Sequence, residues 1–203
     1  HDVKIYFEAS SEWAVNAISQ PVTAERLTHN ELIYLKTGTV EQPVLAKKGD
    51  DLRIDWGYFY LTGKSDKSVT MSVGDPVILK KEFALNGKLS NTFNNTIVHK
   101  LYQKMPALSY SRELGKVGKK VIGGHLMVGY DDILSIQFFG DNLPAYWKKE
   151  GAVDILQVFE TAENNYSSVI EKCSRFDMQM MADAESAGGK KYAEMCALTY
   201  RQS

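Results

Sequence analysis

Cysteine is scarce: two residues, Cys173 and Cys196, in a chain of 203, too few and too far apart for a disulfide framework or a zinc motif. Both stand in helical-looking sequence and read as buried free thiols. The four histidines, His1, His29, His99 and His125, lack a His-x-x-x-His spacing, so no metal site is expected. The Gly-x-Ser-x-Gly elbow, the complete phosphate-binding Gly-x4-Gly-Lys-Ser/Thr loop and the Gly-x-Gly-x-x-Gly run are all missing. Their absence leaves no motif for a cofactor. Ser111-Arg112-Glu113 and Lys64-Ser65-Asp66 are too generic to nominate a nucleophile, and no catalytic residue is assigned. Net charge is almost nil, with 24 basic against 25 acidic residues, which removes any global electrostatic case for nucleic acid or an anionic membrane. No apolar run approaches the roughly 20 residues that span a bilayer.

What is present is a change of rhythm along the chain. Val3, Ile5 and Phe7 alternate with Lys4, Tyr6 and Glu8, and Trp13, Val15 and Ala17 alternate up to Gln20-Pro21, two strand patterns. Leu32 to Lys36 is a third apolar run. A longer one begins after the tight turn Lys47-Lys48-Gly49-Asp50-Asp51: Leu52, Ile54, Trp56, Tyr58 and Tyr60 fall on one face, and Arg53, Asp55, Gly57, Phe59 and Leu61 on the other. Thr62 to Lys67 reads as a surface turn before Val69, Met71 and Val73. Asp75 can cap a helix opened by Pro76 and stopped at Asn86-Gly87. Lys88 to Thr96 reads as a loop. Ile97 to Tyr102, Leu108 to Tyr110, His125 to Tyr130 and Ile133 to Phe139 resume the strand pattern, with Gly115 to Lys120 as a connection and Leu143 to Trp147 as one helical turn. Asn94-Asn95-Thr96 and Asn165-Tyr166-Ser167 fit the glycosylation sequon.

From Gly151 the period lengthens. Leu156, Phe159, Glu163, Tyr166, Ile170, Cys173, Asp177 and Met180 repeat at three- and four-residue steps. This predicts a long helix over 153–186, a break at Gly188-Gly189 and a second helix through Tyr192, Met195, Cys196 and Thr199. The expected architecture is mainly β: an antiparallel β-sandwich, supersandwich-like, over residues 1–150, followed by C-terminal helices over 151–203.

Several runs carry a resemblance: Thr37-Gly38-Thr39-Val40-Glu41-Gln42-Pro43-Val44-Leu45, Lys48-Gly49-Asp50-Asp51-Leu52-Arg53-Ile54-Asp55-Trp56-Gly57-Tyr58, Tyr130-Asp131-Asp132-Ile133-Leu134-Ser135-Ile136-Gln137, Met181-Ala182-Asp183-Ala184-Glu185, and Ala197-Leu198-Thr199-Tyr200-Arg201-Gln202. In this order they resemble the glutaminase A family of fungi and gut bacteria. The resemblance implies a β-sandwich preceding a catalytic domain of the six-hairpin α/α-barrel type, and a parent enzyme that hydrolyses L-glutamine to L-glutamate and ammonia. It implies that the chain, which begins at His1-Asp2 and stops inside a helical pattern, is a piece of a longer exported, bacterial-type hydrolase. On this reading the fragment is non-catalytic. Its partner is the remainder of its own helical domain, with weak homodimerisation through the helical tail as a second expectation.

Candidate binding or domain-interface residues follow from carboxylates next to aromatics. Asp50, Asp51 and Asp55 with Trp56 and Tyr58 fit acid–base work or stacking on a sugar ring. For Asp50 and Asp51 turn chemistry is the preferred account over a direct catalytic role. Asp131 and Asp132 interrupt two apolar runs, either as a plain turn or as a corner facing the helical domain. Tyr200 and Arg201 join the set through the resemblance. The acidic, aromatic strand keeps open an alternative, a carbohydrate-binding or glycoside-hydrolase accessory sandwich, and beyond it a structural spacer.

Overall fold

The computed structural model of the protein describes residues 1–49, 53–90, 97–98, 105–148 and 154–202. These form two compact units, His1–Leu156 and Gln157–Ser203. The first is built from strands in antiparallel pairs. One sheet has the order β1-β7-β5, from β1 (Asp2–Ser10), β7 (Ala107–Lys116) and β5 (Val69–Gly74). The other has the order β6-β2-β3-β4-β8, from β6 (Ile97–Val98), β2 (Val22–His29), β3 (Leu32–Thr39), β4 (Tyr58–Lys64) and β8 (Met127–Asp131). A separate two-stranded ladder joins β9 (Ile136–Phe138) to β10 (Asp141–Leu143).

The two larger sheets share one core, which makes the unit a sandwich. Ala24, Ile33, Leu35, Phe59 and Leu61 on one side cluster with Ala9, Val69, Met71, Val73, Leu108 and Tyr110 on the other. They recur every second residue along their strands, as a face pointing inward must. Each large side chain buried here is worth about 1.5–3 kcal/mol. Buried polar atoms of the larger sheet find partners: the Thr62 hydroxyl donates to Ile33 O at 2.8 Å, and Thr37 Oγ1 lies 2.9 Å from Ser11 Oγ.

The helix expected after Asp75 forms as α1 (Pro76–Asn86), with the Asp75 carboxylate accepting from Val77 N and Ile78 N and Gly87 closing it at φ 68°. Other elements depart from the sequence reading. Trp13 lies in one turn of 3-10 helix over Ser11–Ala14, capped by Ser10, and not in a strand. Hydroxyl capping outcompetes a short alternation there. The strand expected from Leu52 begins at Tyr58; Arg53–Gly57 is irregular, because Asp55 turns inward and Gly57 takes φ 81°. In place of a turn, Thr62 and Gly63 continue β4, both buried. β7 runs to Lys116, past the point where Gly115 was to open a connection. The sequon at Asn94 and most of the Lys88–Thr96 loop lie outside the described residues, as does all but Ile97–Val98 of the strand expected through Tyr102.

The second unit is the helical tail. α2 (Ile155–Gln202) is interrupted at Gly189, whose φ of 76° and ψ of 178° are not helical. Phe176 and Tyr200 would stand about 36 Å apart on a straight helix, yet their ring centroids are 5.3 Å apart. The chain therefore reverses at Gly189 into a helical hairpin, with Ala184 and Ala193 buried. Along the middle of the long arm Tyr166, Val169 and Ile170 stay exposed, as does Cys173, which is not the buried thiol the sequence suggested. No described helix is long and apolar enough to cross a membrane.

Candidate functional site

Five of the candidate residues converge on one corner of the larger sheet, where β4 starts and β8 ends. Tyr58 pairs with Asp131 in the β4–β8 register. Gly57, just before it, sits against the backbone of the corner: a Cβ built there would fall 2.0 Å from Asp131 O and 2.7 Å from Asp132 Cα. Only a glycine allows the two segments to approach this closely. Trp56 Nε1 donates to Leu134 O at 2.9 Å, and the Tyr130 hydroxyl donates to Trp56 O at 2.8 Å. The Asp55–Tyr58 segment and the Tyr130–Leu134 corner are thus stitched together through both side chains and backbone.

Asp55 is fully buried. Its Oδ2 accepts from Gln20 Nε2 at 2.8 Å and forms an ion pair with Lys47. Gln20 Oε1 in turn accepts from Asn16 N and Ala17 N at 2.7 and 2.9 Å. One carboxylate therefore ties the loop after the Ser11–Ala14 turn, the Lys47 segment and the entry to β4. Its Oδ1 is buried and lacks a partner among the described residues, and Asp132 Oδ1 is in the same state. Asp131 Oδ1 accepts from Ile133 N at 3.0 Å and pairs with Lys148. Tyr130 lies near both unsatisfied carboxylates. Burial first, then the charges of Asp132 and Asp55, push its phenol up to about 12, so at neutral pH it remains a protonated donor.

The aromatics are committed to packing. Trp56 is 7% exposed with its indole N–H engaged, Tyr60 is buried, and Lys36 Nζ covers the Tyr58 ring at 4.0 Å from the centroid. A sugar platform needs an open aromatic face, and these three rings offer none. Tyr200 is elsewhere, in the helical unit, its ring tilted 39° against that of Phe176; Arg201 is exposed beside it. Asp50 and Asp51 lie outside the described residues. Among the described residues no group of three or more His, Cys, Asp or Glu side chains could hold a metal ion.

A feature the sequence did not single out is a cleft of about 310 Å³ beside this corner, lined by Glu12, Trp13, Val15, Arg53, Ile54 and Tyr130. Trp13 is 72% exposed. Reading Trp13 as the start of a strand hid it, because the 3-10 turn is what leaves Glu12 and Trp13 at the surface between the buried Ser11 and Ala14.

The family described as "Domain of unknown function (DUF5127)" matches residues 1–183. Glutaminase A of Aspergillus oryzae (strain ATCC 42149 / RIB 40) is 26% identical over 212 residues. That alignment takes in 100% of this chain and 29% of the Aspergillus protein, so the chain spans less than a third of that relative's length.

Proposed function

The chain belongs to the DUF5127 family, and from that premise we propose that it is the non-catalytic β-sandwich portion of a glutaminase-like hydrolase, one whose whole protein converts L-glutamine and water to L-glutamate and ammonia. The observation that carries this reading is the likeness of the whole chain to part of a glutaminase A. The geometry is consistent with a supporting role. Amide hydrolysis needs an activated nucleophile or water and donors for a developing oxyanion. The buried carboxylates at the Asp55 and Asp131 corner are instead engaged in tying loops together. Within this proposal the partner is the rest of a helical catalytic domain of the α/α-barrel type. The corner at Asp131 and Asp132, together with Tyr200 and Arg201, supplies contacts to it, and the whole enzyme is exported. The uncovered helical residues Tyr166, Val169 and Ile170 are covered by that domain or, in the isolated chain, by a second copy through weak homodimerisation.

The test is an ammonia-release assay on the 203-residue chain and on the full-length protein that contains it, with glutamine and a glycoside panel. The expected result is glutamine hydrolysis by the full-length protein and none by the chain alone. A full-length protein inert towards glutamine but active on a glycoside would overturn the reading. Steady ammonia release by the isolated chain, lost on mutating one of its residues, would overturn the non-catalytic assignment.

A further inference from the structure

We propose that the cleft between the Ser11–Ala14 turn and the Arg53-Ile54 segment binds a free α-amino acid in its zwitterionic form. This inference stands on the cleft alone and does not depend on the glutaminase reading. At about 310 Å³ the space lies at the bottom of the roughly 300–1,000 Å³ range of small-ligand sites, too small for a nucleotide or a large cofactor. Its walls are held in place before any ligand arrives. Ser11 and Ala14 are fully buried, so the turn is anchored on either side of Glu12 and Trp13. The Trp13 indole is braced from below by Phe59, ring centroids 5.8 Å apart. Arg53 N donates to Asn16 Oδ1 at 3.3 Å, which pins the opposite wall to the same loop. Tyr130 has its hydroxyl engaged on Trp56 O and so lends the cleft its ring rather than a free polar tip.

The charges select the ligand class. One carboxylate, Glu12, and one guanidinium, Arg53, border the same small space, and no ion pair joins them among the described residues. A guanidinium matches a carboxylate in a bidentate fork; a carboxylate and an indole face together suit an ammonium. An α-amino acid brings both charges at fixed spacing and no net charge. A neutral sugar would strip water from Glu12 and Arg53 and offer neither a charged partner, and a simple anion or cation would satisfy only one. Val15, Ile54 and the Tyr130 ring leave an apolar surround for an uncharged side chain.

Calorimetric titration of the 203-residue chain at low salt tests this, with L-leucine, L-glutamine, N-acetyl-L-leucine, L-leucinamide and glucose as probes. One saturable site for the two free amino acids is expected, with N-acetyl-L-leucine and L-leucinamide each weaker by roughly tenfold or more, the loss of one charge-assisted contact. Glu12→Gln should weaken the free amino acids yet leave N-acetyl-L-leucine unchanged. Arg53→Gln should do the same with respect to L-leucinamide. Glu12, Trp13 and Arg53 are all exposed, so circular dichroism should show the variants folded, and Trp13→Ala should abolish binding. Saturation by glucose but not by the amino acids, indifference to both charge variants, or no saturation by about 10 mM would each overturn the proposal.

Discussion

Replacing Gly57 by alanine should damage the sandwich more than any other single methyl group added to it. Two costs add at this position. Gly57 has φ 81°, a left-handed conformation that costs an L side chain about 1–2 kcal/mol. The new Cβ would also lie 2.0 Å from Asp131 O and 2.7 Å from Asp132 Cα. Those obstacles are backbone, so no side chain can swing away; the corner itself must move, an overpacking strain of about 1–3 kcal/mol. The total is roughly 2–5 kcal/mol, set against a typical domain stability of about 5–15 kcal/mol. For a unit of this size that predicts a fall in Tm of roughly 5–15 °C. Urea and thermal unfolding followed by circular dichroism would measure it. Tryptophan fluorescence adds a local readout, since moving the corner breaks the Trp56 bond to Leu134 and wets the indole. Gly118→Ala is the control: nothing lies within 4 Å of a Cβ there, and the change should stay within about 0.5 kcal/mol. A Gly57→Ala loss below about 1 kcal/mol, with unshifted fluorescence, would refute the claim that close approach at the corner holds β4 and β8 in register.

Asp55→Ala should cost roughly 2–4 kcal/mol, because it strips Gln20 and the partly exposed Lys47 of their shared acceptor and removes the tie between three loops; a chevron or equilibrium urea series with an unchanged m-value would check it. Asp75→Ala should cost about 1 kcal/mol through loss of the α1 N-cap, seen as a small drop in the urea midpoint with the rest of the fold intact. Tyr130 holds its proton more tightly folded than unfolded, so its contribution to stability is complete below the free tyrosine value of about 10. That contribution disappears as pH rises through its folded value of about 12. Ultraviolet titration should show it ionising with alkaline unfolding, and Tyr130→Phe should remove one late-titrating phenol. Titration of one phenol near pH 10 in the native state, lost in that variant, would contradict it.

How far the chain could be read before it folded varies from element to element. α1 was legible to the residue, since Asp75, Pro76 and Gly87 are local signals whose physics acts within a few positions. The long period after Gly151 and the break at Gly188-Gly189 were equally plain, and so was the mainly-β character of everything before. The candidate corner was half legible. Asp55, Trp56, Tyr58, Asp131 and Asp132 stand out by type, but the alternation from Leu52 to Leu61 puts Asp55 on a strand face beside Arg53, when it is buried at a crossing of loops.

Sequence by itself settled where backbone preferences change: caps, stops, the two-residue period of the strands and the longer one of the helices. Each depends on contacts between near neighbours. Only the tertiary structure decided which strands pair, that β7 lies between β1 and β5 and that β4 meets β8, because those pairings join residues far apart in the chain and depend on which apolar faces can be buried together. It also decided that Gly57 is a point of backbone contact and that Glu12, Trp13 and Arg53 share a cleft. Such meetings leave no periodic trace in a linear pattern; they exist because two distant segments were pressed against the same core.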